Sequence, residues 1–285
     1  MSTITASDIF SVLRRGFRDI YFLVSGFDYH HKEKKKIICY PRRPFNPLYM
    51  MSKIRWGSPV KFTSSPQEAD LEIYFDDHTN SHFSKIPFSK NRKSINKNCN
   101  NISKSYVDNV FAKVFGYSLT VNPLENNGLI LEKSEENAKH DGKIIQTPIL
   151  SNFLDKSKVY QKVINNIYND FAIDYRAVWI KDDIALTYVK YALKINRFKS
   201  KTVYSKVVPV KKLFSNQEIN LIKKFCKNFK LDFGELDILR DRNTKKIYIV
   251  DVNKTAWGPP DKIVLKDGKK AIQLINKKFQ ESYLN

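Results

Sequence analysis

The chain has 285 residues, 42% hydrophobic and 13% aromatic, enough to pack one large domain or two to three small ones. No run approaches the roughly 18 apolar residues of a membrane span, and Met1-Ser-Thr-Ile-Thr-Ala-Ser7 lacks the basic-then-apolar order of a signal peptide. Three scattered cysteines, Cys39, Cys99 and Cys226, show no metal spacing and fit a reduced, cytoplasmic compartment. Lys and Arg number 50 against 29 acids, a net charge of +21. That charge implies attraction to nucleic acid, anionic lipid or an acidic polymer. A compositional origin is the competing reading, because Lys, Asn and Ile are abundant and the lysines are spread along the whole chain.

In chain order, residues 5 to 24 place Ile9, Phe10, Val12, Leu13, Phe17, Ile20 and Tyr21 at helical spacing, with Arg14, Arg15 and Arg18 on the wet face. The expectation is an amphipathic helix docked on the protein or resting on an anionic membrane surface. His30 and His31 are adjacent rather than i, i+4, and read as solvated. Ile37–Pro41 is a short strand, and Val60–Pro66 followed by Glu68–Thr79 reads as strand, turn, strand. Asp76 and Asp77 stand at the end of that second strand, where open α/β sheets place ligands. A role facing substrate and a plain surface strand end are both open. Residues 80 to 100 are polar and form a boundary, so residues 1–100 are expected to be an N-terminal α/β domain.

Beyond the boundary, Ser103 caps a helix carrying Val107, Val110, Phe111, Val114 and Phe115, closed by Gly116. Tyr117–Val121, Leu129–Lys133 and Lys143–Ile149 read as strands, with Lys133 at an exit beside the polar loop Ser134–Gly142. Residues 159 to 170 carry a helix-like run. Asp174–Ile180 and Ile184–Tyr191 form a hairpin, adding Arg176 and Lys190 to a sheet. Glu218–Phe229 is a helix, and so is the tail from Ile272.

The chemistry concentrates in the last hairpin. Phe233-Gly-Glu-Leu-Asp-Ile-Leu-Arg240 and Tyr248-Ile-Val-Asp-Val-Asn253 alternate with period two across the turn Asp241–Lys246. Glu235 and Asp237 share one strand face; Asp251 and Asn253 share the other strand's. Paired, they gather up to four oxygen-bearing side chains, three of them acidic, which repel unless a cation sits among them. Hard oxygen ligands suit Mg²⁺, shared with substrate phosphates. The competing reading is a solvated hairpin with its charges outward. Lys254-Thr-Ala-Trp-Gly-Pro-Pro260 leaves the carboxylate end directly, so Thr255, Trp257 and Gly258 are candidate substrate contacts.

The order of these parts resembles the ATP-grasp superfamily: a Lys before a small α/β cap, a second Lys at a strand end, a mobile loop, a hinge, Asp-Tyr-Arg, then a hairpin with Asp and Asp-x-Asn. The resemblance covers roughly residues 100 to 262. It implies an α+β (α/β) fold in which an ATP-grasp domain fills 101–285, with a cap subdomain at about 115–150 and a catalytic sheet at about 151–262. It also implies ATP and Mg²⁺ as cofactors, with Asp237, Asp251 and Asn253 holding the metal and Lys104 and Lys133 binding nucleotide phosphates. Gln146, Thr147 and Ile149 would be the adenine hinge. Arg176, with Lys190 or Arg197, would neutralise the γ-phosphate and an acyl-phosphate. The activity it implies is ADP-forming ligation of a small or polymer-linked carboxylate to an amine; phosphoryl transfer alone uses the same sheet. Asp251 stands where the superfamily's usual residue is Glu, and the loop after Lys133 has one glycine, Gly142. His140 in that loop is either a proton carrier or solvated. The reading from another class is a non-catalytic protein that binds a polyanion through its +21 charge; the chain shows no aromatic-interleaved basic motif of a nucleic-acid reader.

Overall fold

The computed structural model describes residues 32–44, 46–81, 86–137, 139, 141–198, 201–260 and 262–285, with Leu13, Gly16, Phe17, Ile20, Tyr21 and Val24. Most of the expected N-terminal helix, including Arg14, Arg15 and Arg18, lies outside the described residues, as do His30, His31 and His140.

Three sheets carry the chain. The first is parallel, in the order β2 (Val60–Phe62), β1 (Lys35–Pro41), β3 (Leu71–Phe75), β4 (Lys93–Ile95). Ile37, Ile38, Cys39 and Tyr40 are all buried because β1 is covered on both faces, which is why this strand reads as a continuous apolar run rather than an alternation. The expected strand–turn–strand of 60–79 is therefore two parallel strands on either side of β1. The expected connection at 80–100 contributes β4. Helix α1 (Met50–Gly57), which the sequence pattern does not announce, buries Met50, Met51 and Ile54 against this sheet.

Helix α2 (Lys104–Phe115) begins as expected at Ser103, whose side chain accepts from the Tyr106 N–H. It ends at Gly116, whose φ of 78° is the left-handed conformation a helix stop requires. A small antiparallel sheet follows, β6 (Lys143–Thr147), β5 (Gly128–Ser134), β7 (Lys158–Lys162). Tyr117–Val121 gives only an isolated bridge, Thr120 to Gln161. The helix-like run at 159–170 is instead β7 and β8 (Ile167–Tyr168). Its apolar residues suit both periods, and pairing with β5 decides the outcome.

The third sheet runs β11 (Thr202–Val208), β10 (Asp183–Leu193), β9 (Phe171–Ile180), β12 (Phe233–Arg240), β13 (Ile247–Asn253), with β8 beside β9. Strict alternation sorts its side chains. Ala177, Trp179, Leu236, Ile238 and Val252 face one core with α2 and α4 (Asn216–Phe229), which follows the single turn α3 (Val210–Leu213) and starts in a Ser215/Glu218 capping box. Val178, Ile180, Leu186, Tyr188 and Phe233 face another, closed by α1 and α5 (Leu265–Phe279). The last helix thus starts seven residues earlier than Ile272, the start read from the sequence. Asn96 ties the parallel sheet to β12. Its side-chain amide donates to the Phe233 carbonyl at 2.7 Å and its Oδ1 accepts from the Asp232 and Phe233 N–H groups.

Candidate active site

Register places the expected charged residues together. Asp237 pairs with Asp251 on one side and Arg176 on the other; Glu235 pairs with Asn253; Lys190 pairs with Asp174. These positions continue the face that carries Val178, Tyr188 and Phe233, so one sheet face changes from apolar core to charged site along its length.

Arg176 forks onto Asp237, Nε to Oδ1 at 2.8 Å and an Nη donor to Oδ2 at 3.0 Å, and Lys190 donates to the same carboxylate at 3.3 Å. Burial pushes Asp237 upward, but the two cations outweigh it and hold the group below the usual carboxylate range. Its neighbours have no such partners. Glu235 is 1% exposed, no side chain donates a hydrogen bond to it, the Gly258 N–H faces it, and Arg176 lies at 3.6 Å. Burial raises it to about 7. Oδ1 of Asp251 is likewise buried without a partner, and burial, then the charge of Asp237, raises that group too. Orphaned carboxylate oxygens on one face are what a hard divalent cation would satisfy, so the donor set fits Mg²⁺. Asn253 turns its Oδ1 to the outgoing loop, accepting from Thr255 N–H at 2.9 Å and its hydroxyl at 3.1 Å.

Lys104 and Lys133 come from α2 and β5 yet converge on Asp251, whose charge raises both. Burial dominates and lowers both, Lys133 to about 8. Lys104 Nζ donates to the Glu136 carbonyl at 2.5 Å. That contact ties the loop after Lys133 to the start of α2.

Gln146, Thr147 and Ile149 are not brought to this place. Thr147 pairs with Gly128, at the opposite end of β5 from Lys133, and the Ile149 N–H is spent on the Pro123 carbonyl. The chain crosses from the small sheet to the large one after β7, at 163–166. Arg197 sits there, donating to the Ile164 carbonyl at 2.6 Å, so it pins the crossing rather than reaching Asp237. Asn166, also at the crossing, donates to Asp174 at 2.9 Å. β6 and β7 are alike in sequence, short and Gln-bearing, and local pattern does not tell which one leads out.

Asp76 and Asp77 lie at the end of β3. Asp76 is buried and accepts from Tyr74, Ser81 and His78, the last at 2.5 Å. Burial opposes its ionisation, yet these bonds hold it at about 2, while His78 is raised by Asp76. Lys254, fully buried, joins this corner to β13 by donating to Ser81 at 2.7 Å. Trp257 is 45% exposed and tilts on Tyr49, ring centroids 5.2 Å apart; Tyr49 also feels the charge of Asp77. Gly258 has φ of 85°, which only glycine adopts without strain, and sits over the Lys53 stem. The sequence reading overlooked His78, Tyr49 and Lys254; an apolar strand ending in Asp-Asp-His was the available signal.

No protein-family model matches the chain, and no curated protein matches it by sequence. Solved structures do match. VanG D-Ala:D-Ser ligase from Enterococcus faecalis superposes with TM-score 0.58 at 9% identity, covering 88% of this chain and 100% of that one. D-alanine–D-alanine ligase from Bacillus anthracis, complexed with ATP, gives 0.56 at 10% identity over 88% and 97%. The ATP-grasp ligase PsnB, complexed with a precursor variant, Mg and ADP, gives 0.56 at 8% identity over 87% and 99%.

Proposed function

The chain has the ATP-grasp fold, and we propose that it is an ATP-dependent, ADP-forming ligase that activates a carboxylate as an acyl-phosphate and joins it to an amine. The observation that carries this reading is the convergence of Lys104 from α2 and Lys133 from the small sheet on the face where Asp251 holds an unpartnered oxygen and Glu235 lies beside Arg176. Two anions, ATP and a carboxylate, must meet for such a reaction, and a carboxylate is a poor electrophile until phosphorylated. Mg²⁺, when bound by Asp237, Asp251 and Asn253, would screen the β- and γ-phosphates. Lys104 and Lys133 bind the phosphates from above. Arg176 and Lys190 lie on the sheet where charge develops on the transferred phosphoryl group. Adenine is held at the crossing 163–166 rather than at Gln146–Ile149, because only the former adjoins both sheets. Thr255, Trp257 and Gly258, with Asp76 and Asp77 opposite, border the acceptor side. Mg-AMP-PNP should raise the melting temperature, and turnover with candidate acids and amines should release ADP. No thermal shift with Mg-AMP-PNP would end this reading; AMP release would move it to adenylation.

One observation favours an anionic polymer as carrier of a substrate. Lys181, Lys223, Lys224, Lys227 and Lys230, outnumbering the acids Asp182 and Asp232, line a cavity of about 510 Å³ beside α4. Salt-dependent retention on a polyanion, lost when Lys223, Lys227 and Lys230 are changed to Glu, would support it; unchanged retention would remove it.

A further inference from the structure

The corner at the end of β3 is fastened to the phosphate site from three sides. Ile102, two residues before Lys104, donates its N–H to the Thr79 carbonyl at 2.8 Å. Asn137, four residues after Lys133, donates its N–H to the Thr79 hydroxyl at 2.8 Å. Lys254, which directly follows Asn253, donates to Ser81 at 2.7 Å. His78 therefore stands where the start of α2, the loop between β5 and β6 and the loop after β13 come together.

Asp76 and His78 are paired there. Asp76 is 8% exposed and has both oxygens engaged: Oδ2 accepts from Tyr74 at 2.7 Å and from Ser81 at 2.8 Å, and Oδ1 accepts from His78 Nδ1. An ionised carboxylate only accepts, so Nδ1 carries the proton of the neutral imidazole and Nε2 keeps a lone pair. The His78 side chain is 77% exposed, which leaves that lone pair open to a reactant. Asp77 is exposed beside it and offers an incoming ammonium an opposite charge. One oxygen or ring nitrogen from each of Asp76, Asp77 and His78 lies within 4.8 Å of the others. Asp76 and Nδ1 are already spent on each other and on Tyr74 and Ser81, so the trio suits proton transfer better than it suits a cation.

We propose, resting on the ligase reading above, that His78 is the base that takes a proton from the acceptor amine, with Asp76 as the residue that positions its ring and stabilises the imidazolium. Near neutral pH an amine arrives as its ammonium, which has no lone pair for attack. Nε2 takes one proton, and the freed electron pair bonds to the acyl-phosphate carbon. The bond from that carbon to the phosphate oxygen breaks, and the second amine proton leaves with the phosphate. Water then takes the proton from His78. Asp76 and Asp77 raise the proton affinity of His78, Lys254 from the outgoing loop lowers it, and the rise prevails. Tyr74 and Ser81 act on the pair through Asp76 Oδ2. Amide formation should accordingly increase as pH rises through that raised value.

The test uses the full chain with ATP, Mg²⁺ and a panel of L- and D-amino acids and their dipeptides, which supply both carboxylate and amine. Amide is measured directly, and a parallel run adds hydroxylamine, which is unprotonated at neutral pH and traps an acyl-phosphate without needing a base. His78→Gln should melt with the wild type, because the position is exposed. At pH 7 its amide formation should fall about a hundredfold and its hydroxamate formation less than about fivefold. The amide defect should shrink as pH approaches the amine's own value. Asp76→Asn should move the rising limb to lower pH. Imidazole rescue of amide formation in His78→Ala decides the matter if the Gln variant does not fold. Equal losses of amide and hydroxamate, or wild-type amide formation by the variant, overturn the assignment of His78. So does hydroxamate without amide from the wild type, since no base would then serve an amine. Wild-type protein that forms neither product and releases no ADP overturns the ligase reading itself, and this assignment with it.

Discussion

Replacing Asp237 with Asn isolates the ion pair at the centre of the sheet. The carboxylate accepts a bidentate fork from Arg176 at 2.8 and 3.0 Å and a third contact from Lys190 at 3.3 Å. Removing one partner of a buried pair costs about 3–5 kcal/mol, because the other charge stays behind. Here the Arg176 and Asp237 side chains are 23% and 24% exposed, so water recovers part of the penalty. Glu235, 3.6 Å from Arg176, takes over another part. The expected loss in urea unfolding at neutral pH is therefore roughly 2–3 kcal/mol. The Asp237 carboxyl is held below its usual range when folded, so its stabilisation is present above the unfolded-state value and fades as pH falls through the folded one. The gap between wild type and Asp237→Asn should accordingly narrow below about pH 4. Adding Arg176→Met should restore part of the loss, with a coupling of at least about 1 kcal/mol in the double-mutant cycle. A loss under 1 kcal/mol, or strict additivity, would refute the claim that this pair is a stabilising unit.

Other expectations follow from single contacts. Lys133→Met removes a partly buried cation lowered to about 8, and should weaken AMP-PNP binding at least tenfold by calorimetry while leaving the melting temperature equal or higher. Gly234→Ala should destabilise the protein by more than about 2 kcal/mol, since the obstructing atom is a backbone oxygen 2.5 Å away that cannot swing aside. His78 should titrate above its ordinary value by NMR, and Asp76→Asn should bring it back down. Because the folded value is the raised one, the His78–Asp76 pair stabilises below the unfolded-state value and stops doing so as pH rises through the folded one.

The hairpin and its acids were legible because a strand with one apolar and one functional face alternates visibly, and Glu235, Asp237, Asp251 and Asn253 fall on that alternation. Ser103 and Gly116 were legible as helix ends because capping is a local interaction of side chain and backbone. Which strand leads out of the small sheet was not. β6 and β7 are both short, both paired to β5, and both carry a Gln, so only the path of the chain after Lys162 separates them. Nor did sequence pattern show which carboxylate is already neutralised. That depends on Arg176 lying directly opposite Asp237, a strand pairing between residues 61 positions apart. The corner where Asp76, His78, Ser81 and Lys254 meet escaped for the same reason, since Lys254 reaches it from 173 residues away.

The most direct test of the account is binding of Mg-AMP-PNP to wild type and to Asp251→Asn, measured by calorimetry on the full chain. Asp251 lies within the electrostatic reach of Lys104 and Lys133, and its orphaned oxygen makes the Asn substitution structurally mild. The account predicts a saturable, metal-dependent heat for wild type and at least a hundredfold weaker binding for a variant that is folded and no less stable. Equal binding by the two proteins, or none by the wild type, would contradict it.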